Sequence, residues 1–335
     1  MLTTKNIALN MYSFGYYGGF IKDETRQQDL LDIDGLLQLV RKYNLGGIEV
    51  PFDHFYSEDK IEEGITYLEK IRSDGFSIFL DLEKTNPDYI RKLLPYLSRL
   101  DVGVIRIKMD QIGKTIYGGN RYKSDTFQQA VNTFKDQLGK LVPDLEKYKV
   151  AVAIENHQDF HSSELADLIE EISPEWIGIT WDVGNSASVL DTPESFYMNV
   201  GQYIRNVHLK DYHLLKSEVG LRMLRCPFGD GYVDYKSILP TLASNERVVN
   251  MSIELGAQIT RECDLNVGNY WSAFAGVAID RSGFLDFVDS NFTDHTMSDQ
   301  SRYESGLDEQ AMIASELNDI HVSVQNLNDL LTASF

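Results

Sequence analysis

The chain has 335 residues, 43% hydrophobic and 24% charged, with 51 acidic against 31 basic side chains and a formal net charge of −20. That composition belongs to a folded globular protein rather than a disordered one, and so acidic a chain repels a phosphate backbone, so nucleic acid is not expected as a partner. Cys226 and Cys263 form no CxxC pair and match no structural-zinc spacing, no run approaches a membrane span, and the N-terminal stretch is too interrupted for a signal peptide. A reduced, cytoplasmic protein with no membrane partner is expected.

In chain order, the first strand candidate is IALNMYS, followed by SFGYYGGF, which lacks the glycine-rich phosphate turn of an open doubly wound sheet. The helical pattern DIDGLLQLVRKYN leads to GGIEVP, EEGITYLEKIRS to SIFLDLE, and PDYIRKLLPYLSRL to VGVIRIKM. A long pattern, TFQQAVNTFKDQLGKLVPDLEKY, precedes VAVAIEN; SELADLIEEI then leads to IGITWDV, and RNVHLKD and NMSIEL complete the series. Apolar residues three and four apart mark the helices, and short Val/Ile-rich runs mark the strands. Eight strands alternating with helices are the sequence form of an α/β protein of the (β/α)8 TIM-barrel class. Asp34, Asn86 before Pro87, Ser162 and Asp191 are the expected helix N-caps.

The alternation stops after Leu255. From Ala257 to Asp294 the chain is aromatic and glycine-containing and is expected to cover part of the barrel, and 293–306 reads as a polar linker. From about Leu307, Ile313, Leu317, Ile320, Val324, Leu327 and Leu331 recur at steps of four and three. This is a helical seam of under three heptads, open to two readings: packing back on its own barrel, or self-association as a homo-oligomer. The expected division is 1–275 for the barrel and 276–335 for a C-terminal helical extension.

Four short runs end in a metal-type side chain: VAIEN in Glu155, ITWDVGN in Asp182, NVHLKD in His208 and MSIEL in Glu254. Taken alone, an acid at a strand end is often a cap or an ion-pair partner. In a β/α barrel, however, the C-terminal ends of all strands share one face, so four in succession converge. Three carboxylates and one imidazole make a divalent-cation site of hard-ligand character.

The succession IEN, WDVGN, HLKD, a GDGYVD loop and SIEL resembles the xylose isomerase-like TIM-barrel superfamily over most of residues 5–260. That superfamily includes ketose 3-epimerases, sugar phosphate isomerases, inosose dehydratases and the endonuclease IV group. The resemblance implies that Glu155, Asp182, His208 and Glu254 hold the metal, with Mn²⁺ ahead of Mg²⁺, Co²⁺ or Zn²⁺. It also implies that Glu155 and Glu254 move protons on opposite sides of a small carbohydrate. The chemistry agrees: a cation on a ketose carbonyl and its neighbouring hydroxyl lowers the cost of an enediolate, and an adjacent carboxylate removes the α-proton.

Lys108 in IRIKMD, His157 in ENHQDFHSS, Asn185 three residues after Asp182, and Lys210 in HLKD are candidate substrate contacts. His161 reads rather as a loop or cap residue, Asp211 as structural and Asp234 as a helix cap. Glu49 and Asp81 either meet sugar hydroxyls or pair with loop cations. Tyr12, Phe14, Trp181 and Trp271 are candidates for walling a sugar pocket.

The pattern departs from the ketose 3-epimerases at three points. Asn185 stands where they usually have histidine, LKDYHLL after His208 contains no arginine, and IELGAQITRE lacks their proline. The expected function is therefore a metal-dependent isomerase or epimerase. The alternative is a lyase that removes water or CO₂ from an inosose or 3-keto sugar acid, which Lys108, His157 and Lys210 suit. An endonuclease IV-like repair enzyme would need a histidine-rich zinc site and a basic face, against seven histidines and the acidity here. A barrel that only binds is the remaining reading.

Overall fold

A computed structural model of the protein describes residues 2–24, 26–83, 85–109, 121, 126–293 and 300–334. All eight strand candidates form parallel barrel strands: β1 (Ile7–Asn10), β2 (Gly47–Pro51), β3 (Ser77–Asp81), β4 (Val104–Ile107), β5 (Ala151–Glu155), β6 (Ile177–Asp182), β7 (Ile204–Leu209) and β10 (Asn250–Ile253). The barrel closes through β1 pairing with both β2 and β10. The fold is a TIM barrel, and the apolar outward faces of these strands are almost wholly buried beneath the helices.

The surrounding helices are α1 (Ile33–Lys42), α2 (Phe52–Phe55), α3 (Ile61–Ser73), α4 (Pro87–Leu97), α5 (Phe127–Tyr148), α6 (Ser162–Ile172), α7 (Pro193–Val200) and α8 (Tyr235–Ser244). Asn86 caps α4 as expected, accepting from the backbone N–H of Asp88 and Tyr89. Asp234 likewise caps α8, accepting from the Ser237 N–H, whereas the expected caps of α1, α6 and α7 shift by one or two residues. Asp32, not Asp34, caps α1, while Asp34 accepts from the Tyr67 hydroxyl. His161, not Ser162, caps α6, and Thr192, not Asp191, caps α7. Each correction falls where several cap-competent residues adjoin, and Asp191 instead accepts the Ser162 N–H and the Ser195 hydroxyl.

An antiparallel sheet absent from the sequence expectation lies between β7 and the last barrel strand. RNVHLKD ends as β7 at Leu209, and the chain re-enters a hairpin of β8 (Asp211–Ser217) and β9 (Gly220–Cys226), to which β11 (Arg261–Cys263) adds an edge. Asp211 anchors the following loop, accepting from the N–H groups of Gly231 and Val233, and a Cβ at Gly231 would collide with that carboxylate.

Beyond β11 come α9 (Gly268–Ser272), α10 (Arg281–Ser290) and the long α11 (Glu309–Ser334). Helix α11 lies on the barrel: Ile320, Val324 and Leu327 belong to the same continuous core as the strands. Its buried face also carries Glu316, Asp319 and Ser323, which an apolar heptad does not anticipate, while Ile313 and Leu317 are only half-buried. Of the polar stretch 293–306, residues 294–299 lie outside the described residues, and Ser301 is buried with its hydroxyl donating to the Gln258 carbonyl. Among the described residues no helix is long and apolar enough to cross a membrane.

Candidate metal centre and its mouth

Strand register brings the four strand-end side chains together. Asp182 on β6 sits opposite His208 on β7, and Ser252 on β10 sits opposite His208, so Glu254, two residues on, projects from the same face nearer the mouth. His208 Nδ1 lies 3.9 Å from Glu155 Oε2 and 3.9 Å from Glu254 Oε2. Ligand atoms of Glu155, Asp182 and His208 all fall within 4.8 Å of one another. Asp182 Oδ1 and His208 Nδ1 are buried yet have no hydrogen-bond partner among the described residues. Buried polar atoms are ordinarily satisfied, so convergent unsatisfied ones are what a divalent cation would complete, and the residues present fit one.

A second polar layer lies directly beneath. Glu49 on β2 accepts from Asn206 Nδ2 at 2.7 Å, Asn250 Nδ2 at 3.1 Å and the Ser252 hydroxyl, and its Oε1 lies 3.2 Å from His208 Nε2. That contact holds the imidazole by Nε2 and leaves Nδ1 facing the ligand carboxylates, as an outer carboxylate does for a metal-bound histidine. Burial opposes the Glu49 charge, but His208 and Ser252 outweigh it and lower its pKa to about 2. Burial likewise opposes the imidazolium, yet Glu49, Glu155 and Glu254 raise His208 to about 10. Asp81 joins this layer through Asn10 Nδ2 at 2.9 Å. Burial and the Glu49 charge raise its carboxyl well above the usual range. Glu49 and Asp81 therefore face the barrel interior rather than loop cations.

Two buried cations compensate the ligand carboxylates. Arg106 on β4 binds Glu155 through Nε at 2.5 Å and also through Nη2. Burial works against the Glu155 charge, but Arg106 overrides it, helped by His157, His208 and Lys210, and holds the carboxyl well below its usual range. Lys210 Nζ lies 2.7 Å from Asp182 Oδ2 and 2.5 Å from Glu254 Oε2, and donates to the Gly256 carbonyl at 3.2 Å. Burial, with Glu254 and Glu155 nearby and Lys210 opposing, pushes Asp182 up to about 7.

Two asparagines position Asp182. Asn185 donates to its Oδ2 at 2.7 Å and accepts from Gln158 Nε2 and the Tyr212 hydroxyl, so it lies behind the ligand rather than on the cavity wall. Asn156, the last residue of IEN, bridges to the Asp182 backbone, accepting its N–H at 2.7 Å and donating to its carbonyl at 3.0 Å.

Above the centre opens a cavity of about 420 Å³ whose wall includes Tyr12, Lys108, Glu155, His157, Lys210 and Glu254. Gly256 lets the wall close on the site: its N–H donates to Glu254 Oε1 at 2.6 Å, and a Cβ there would strike that oxygen. Burial and the charges of Lys108, Arg106 and Arg261 hold His157 well below the ordinary imidazole range, against the pull of Glu155. Of the aromatic candidates, Tyr12 lines the cavity, whereas Phe14 is core and Trp181 stacks on Phe196 in the core. Trp271 packs edge-on to Phe284 outside the mouth.

Arg106, Asn156, Asn206 and Asn250 are site residues that the sequence expectation missed. For Asn206 and Asn250 the signal was polarity at alternate positions within apolar runs: Asn206 precedes His208 by two, and Asn250 and Ser252 precede Glu254 by four and two.

A family model described as xylose isomerase-like TIM barrel matches residues 37–263. The chain is similar to the 3-oxo-isoapionate decarboxylase of Pectobacterium atrosepticum, 24% identical over 193 residues, a stretch spanning 56% of this chain and 66% of that enzyme. Its fold is similar to a xylose isomerase-like TIM barrel protein from Mycobacterium smegmatis in complex with magnesium (TM-score 0.56, 16% identity, 87% of this chain and 99% of the other). It is also similar to a D-tagatose 3-epimerase-like protein (TM-score 0.54, 16% identity, 85% and 98%).

Proposed function

The chain belongs to the xylose isomerase-like TIM barrel family, and on that premise we propose that it is a divalent-metal-dependent isomerase or epimerase of a small carbohydrate, working through an enediolate. The observation that carries this is the convergence of Asp182 Oδ1 and His208 Nδ1, buried and unsatisfied, with the Glu155 and Glu254 carboxylates at the floor of a polar cavity. Glu155, Asp182, His208 and Glu254 would hold the cation, with Mn²⁺ the first candidate. When bound, such an ion supplies Lewis-acid polarisation of a carbonyl and its neighbouring hydroxyl.

The chain's own residues do the rest. Glu155, held ionised by Arg106, takes the α-proton as a carboxylate, and Glu254, carrying a proton taken up from solvent, gives one from the other side; exchange with solvent then resets the pair. Neutral His157 hydrogen-bonds substrate hydroxyls from the wall, and Lys108 meets a substrate oxygen. A second reading, a lyase acting on a keto sugar acid, is favoured by the placement of Lys108 and His157 together on that wall, where a carboxylate would meet them.

The test is metal content and product analysis together. Purified protein should retain about one Mn²⁺, and Glu155→Gln and Glu254→Gln should lose metal affinity and about 10²–10⁴-fold in turnover. Unchanged metal content and turnover in both variants would sink the assignment. Incubation with Mn²⁺ and a panel of ketoses, inososes and keto sugar acids in heavy water separates the readings. Proton exchange without mass loss marks isomerisation or epimerisation, and release of water or CO₂ marks the lyase.

A further inference from the structure

We infer that the mouth of the cavity is an anion-recognition rim, in which Lys22, Lys108 and Arg261 receive a carboxylate or phosphate carried by the substrate. This rests on the metal-dependent reading above and names the substrate class that reading leaves open.

The first observation is a local reversal of charge. The chain as a whole carries 51 acidic against 31 basic side chains, yet among the described residues the cavity wall presents five lysines and arginines against three glutamates. The acids are already engaged: Glu155 with Arg106, Glu254 with Lys210, and Glu83 with His54 at 3.6 Å. Among the described residues neither Lys22 nor Lys108 forms an ion pair. A divalent cation at the floor adds further positive charge. Such an excess repels a cationic ligand and favours an anionic one over a neutral sugar, and in a recessed cavity its field is screened less than on an open surface.

The second observation is that the rim is built rather than incidental. Lys108 follows β4, but Lys22 lies in the long connection from β1 to α1 and Arg261 begins β11, so two of the three cations stand well away from a barrel strand end. Both outlying segments are tied down by the C-terminal part of the chain. Glu316 on α11, fully buried, accepts the N–H groups of Tyr16 and Tyr17 at 2.8 and 2.9 Å, which anchors the loop carrying Lys22. Glu304 accepts the Thr260 N–H and hydroxyl, next to Arg261. The extension thus sets the two cation-bearing walls against each other. Between them Tyr12 Oη is buried on the cavity wall with no hydrogen-bond partner among the described residues, a donor suited to a ligand oxygen.

Calorimetric titration of the Mn²⁺-loaded and metal-free protein with ribonate, ribitol phosphate and ribitol tests this, since the three share a carbon skeleton and differ in charge. One of the two anions should bind at least about tenfold tighter than ribitol, the gain of a charge-assisted contact over a neutral one. Which anion wins tells carboxylate from phosphate. Lys22→Ala, at an exposed position that leaves the fold intact, should weaken that anion about three- to fivefold, and Arg261→Gln about tenfold or more. Ribitol affinity and Mn²⁺ content should be unchanged in both variants. Equal affinity for all three ligands, or full anion affinity in both variants, overturns the rim. Failure of the wild-type protein to bind Mn²⁺ would instead overturn the metal-dependent reading, while anion preference is still scored on the metal-free protein.

Discussion

The two halves of the barrel do opposite work at one site. Strands β5, β6, β7 and β10 supply Glu155, Asp182, His208 and Glu254, side chains that can give electrons to a cation. The half formed by β1 to β4 supplies Glu49, which meets His208, and Arg106, which meets Glu155, with Asn10 and Asp81 bonded to each other beneath them. A buried carboxylate group is costly unless paired, so the half carrying these carboxylates is assembled in a dry interior with Arg106 from the other half compensating Glu155 and its own Lys210 compensating Asp182 and Glu254.

The largest effect should come from breaking the pairing across the halves. Arg106→Met leaves Glu155 as an uncompensated buried charge and should destabilise the metal-free protein by about 3–5 kcal/mol in urea denaturation. An unchanged midpoint would show that the ligand half needs no such partner. Next, Glu49→Gln removes the carboxylate that holds His208 by Nε2. Mn²⁺ affinity, measured by competition with a chelator, should fall about 10–100-fold while the variant stays folded by circular dichroism. Retained affinity would mean that the imidazole is oriented by its own strand alone. The smallest effect lies within the ligand half: Asn185→Ala frees Asp182 Oδ2 of one donor while Lys210 remains, and should cost about tenfold in Mn²⁺ affinity, the low end for an outer partner. A loss larger than that of Glu49→Gln would reverse the order proposed for the two halves.

The two halves were also unequally legible. Glu155, Asp182, His208 and Glu254 each end an apolar run, and barrel topology carries such ends to one face whatever their separation in sequence. Arg106 sits inside a run, in VIRI, and nothing local says whether a polar residue there faces the interior or a helix. The same ambiguity hid Asn206 and Asn250. Asn185 stood at a position where the family pattern suggests a substrate contact, but its partners Gln158 and Tyr212 come from 27 residues away, and they turn it toward Asp182. In α11 the apolar seam predicted a helix, yet the buried face includes Glu316 and Asp319. Their partners are Tyr16, Tyr17, Arg225 and Arg302, nearly all far away along the chain.

From its sequence alone, this chain determines what depends on local pattern: eight strands, the helices between them and the four strand-end side chains that converge, because periodicity and β/α topology need no long-range information. Tertiary structure alone decided the rest: the β8–β9 hairpin, the Glu49–His208 contact, the Arg106 and Lys210 countercharges, and the latching of the N-terminal loop by α11. The physical reason is that burial and charge are properties of a place. A carboxylate becomes a ligand, a structural acceptor or a surface charge according to what the closed barrel sets against it, and that is fixed only when distant segments meet.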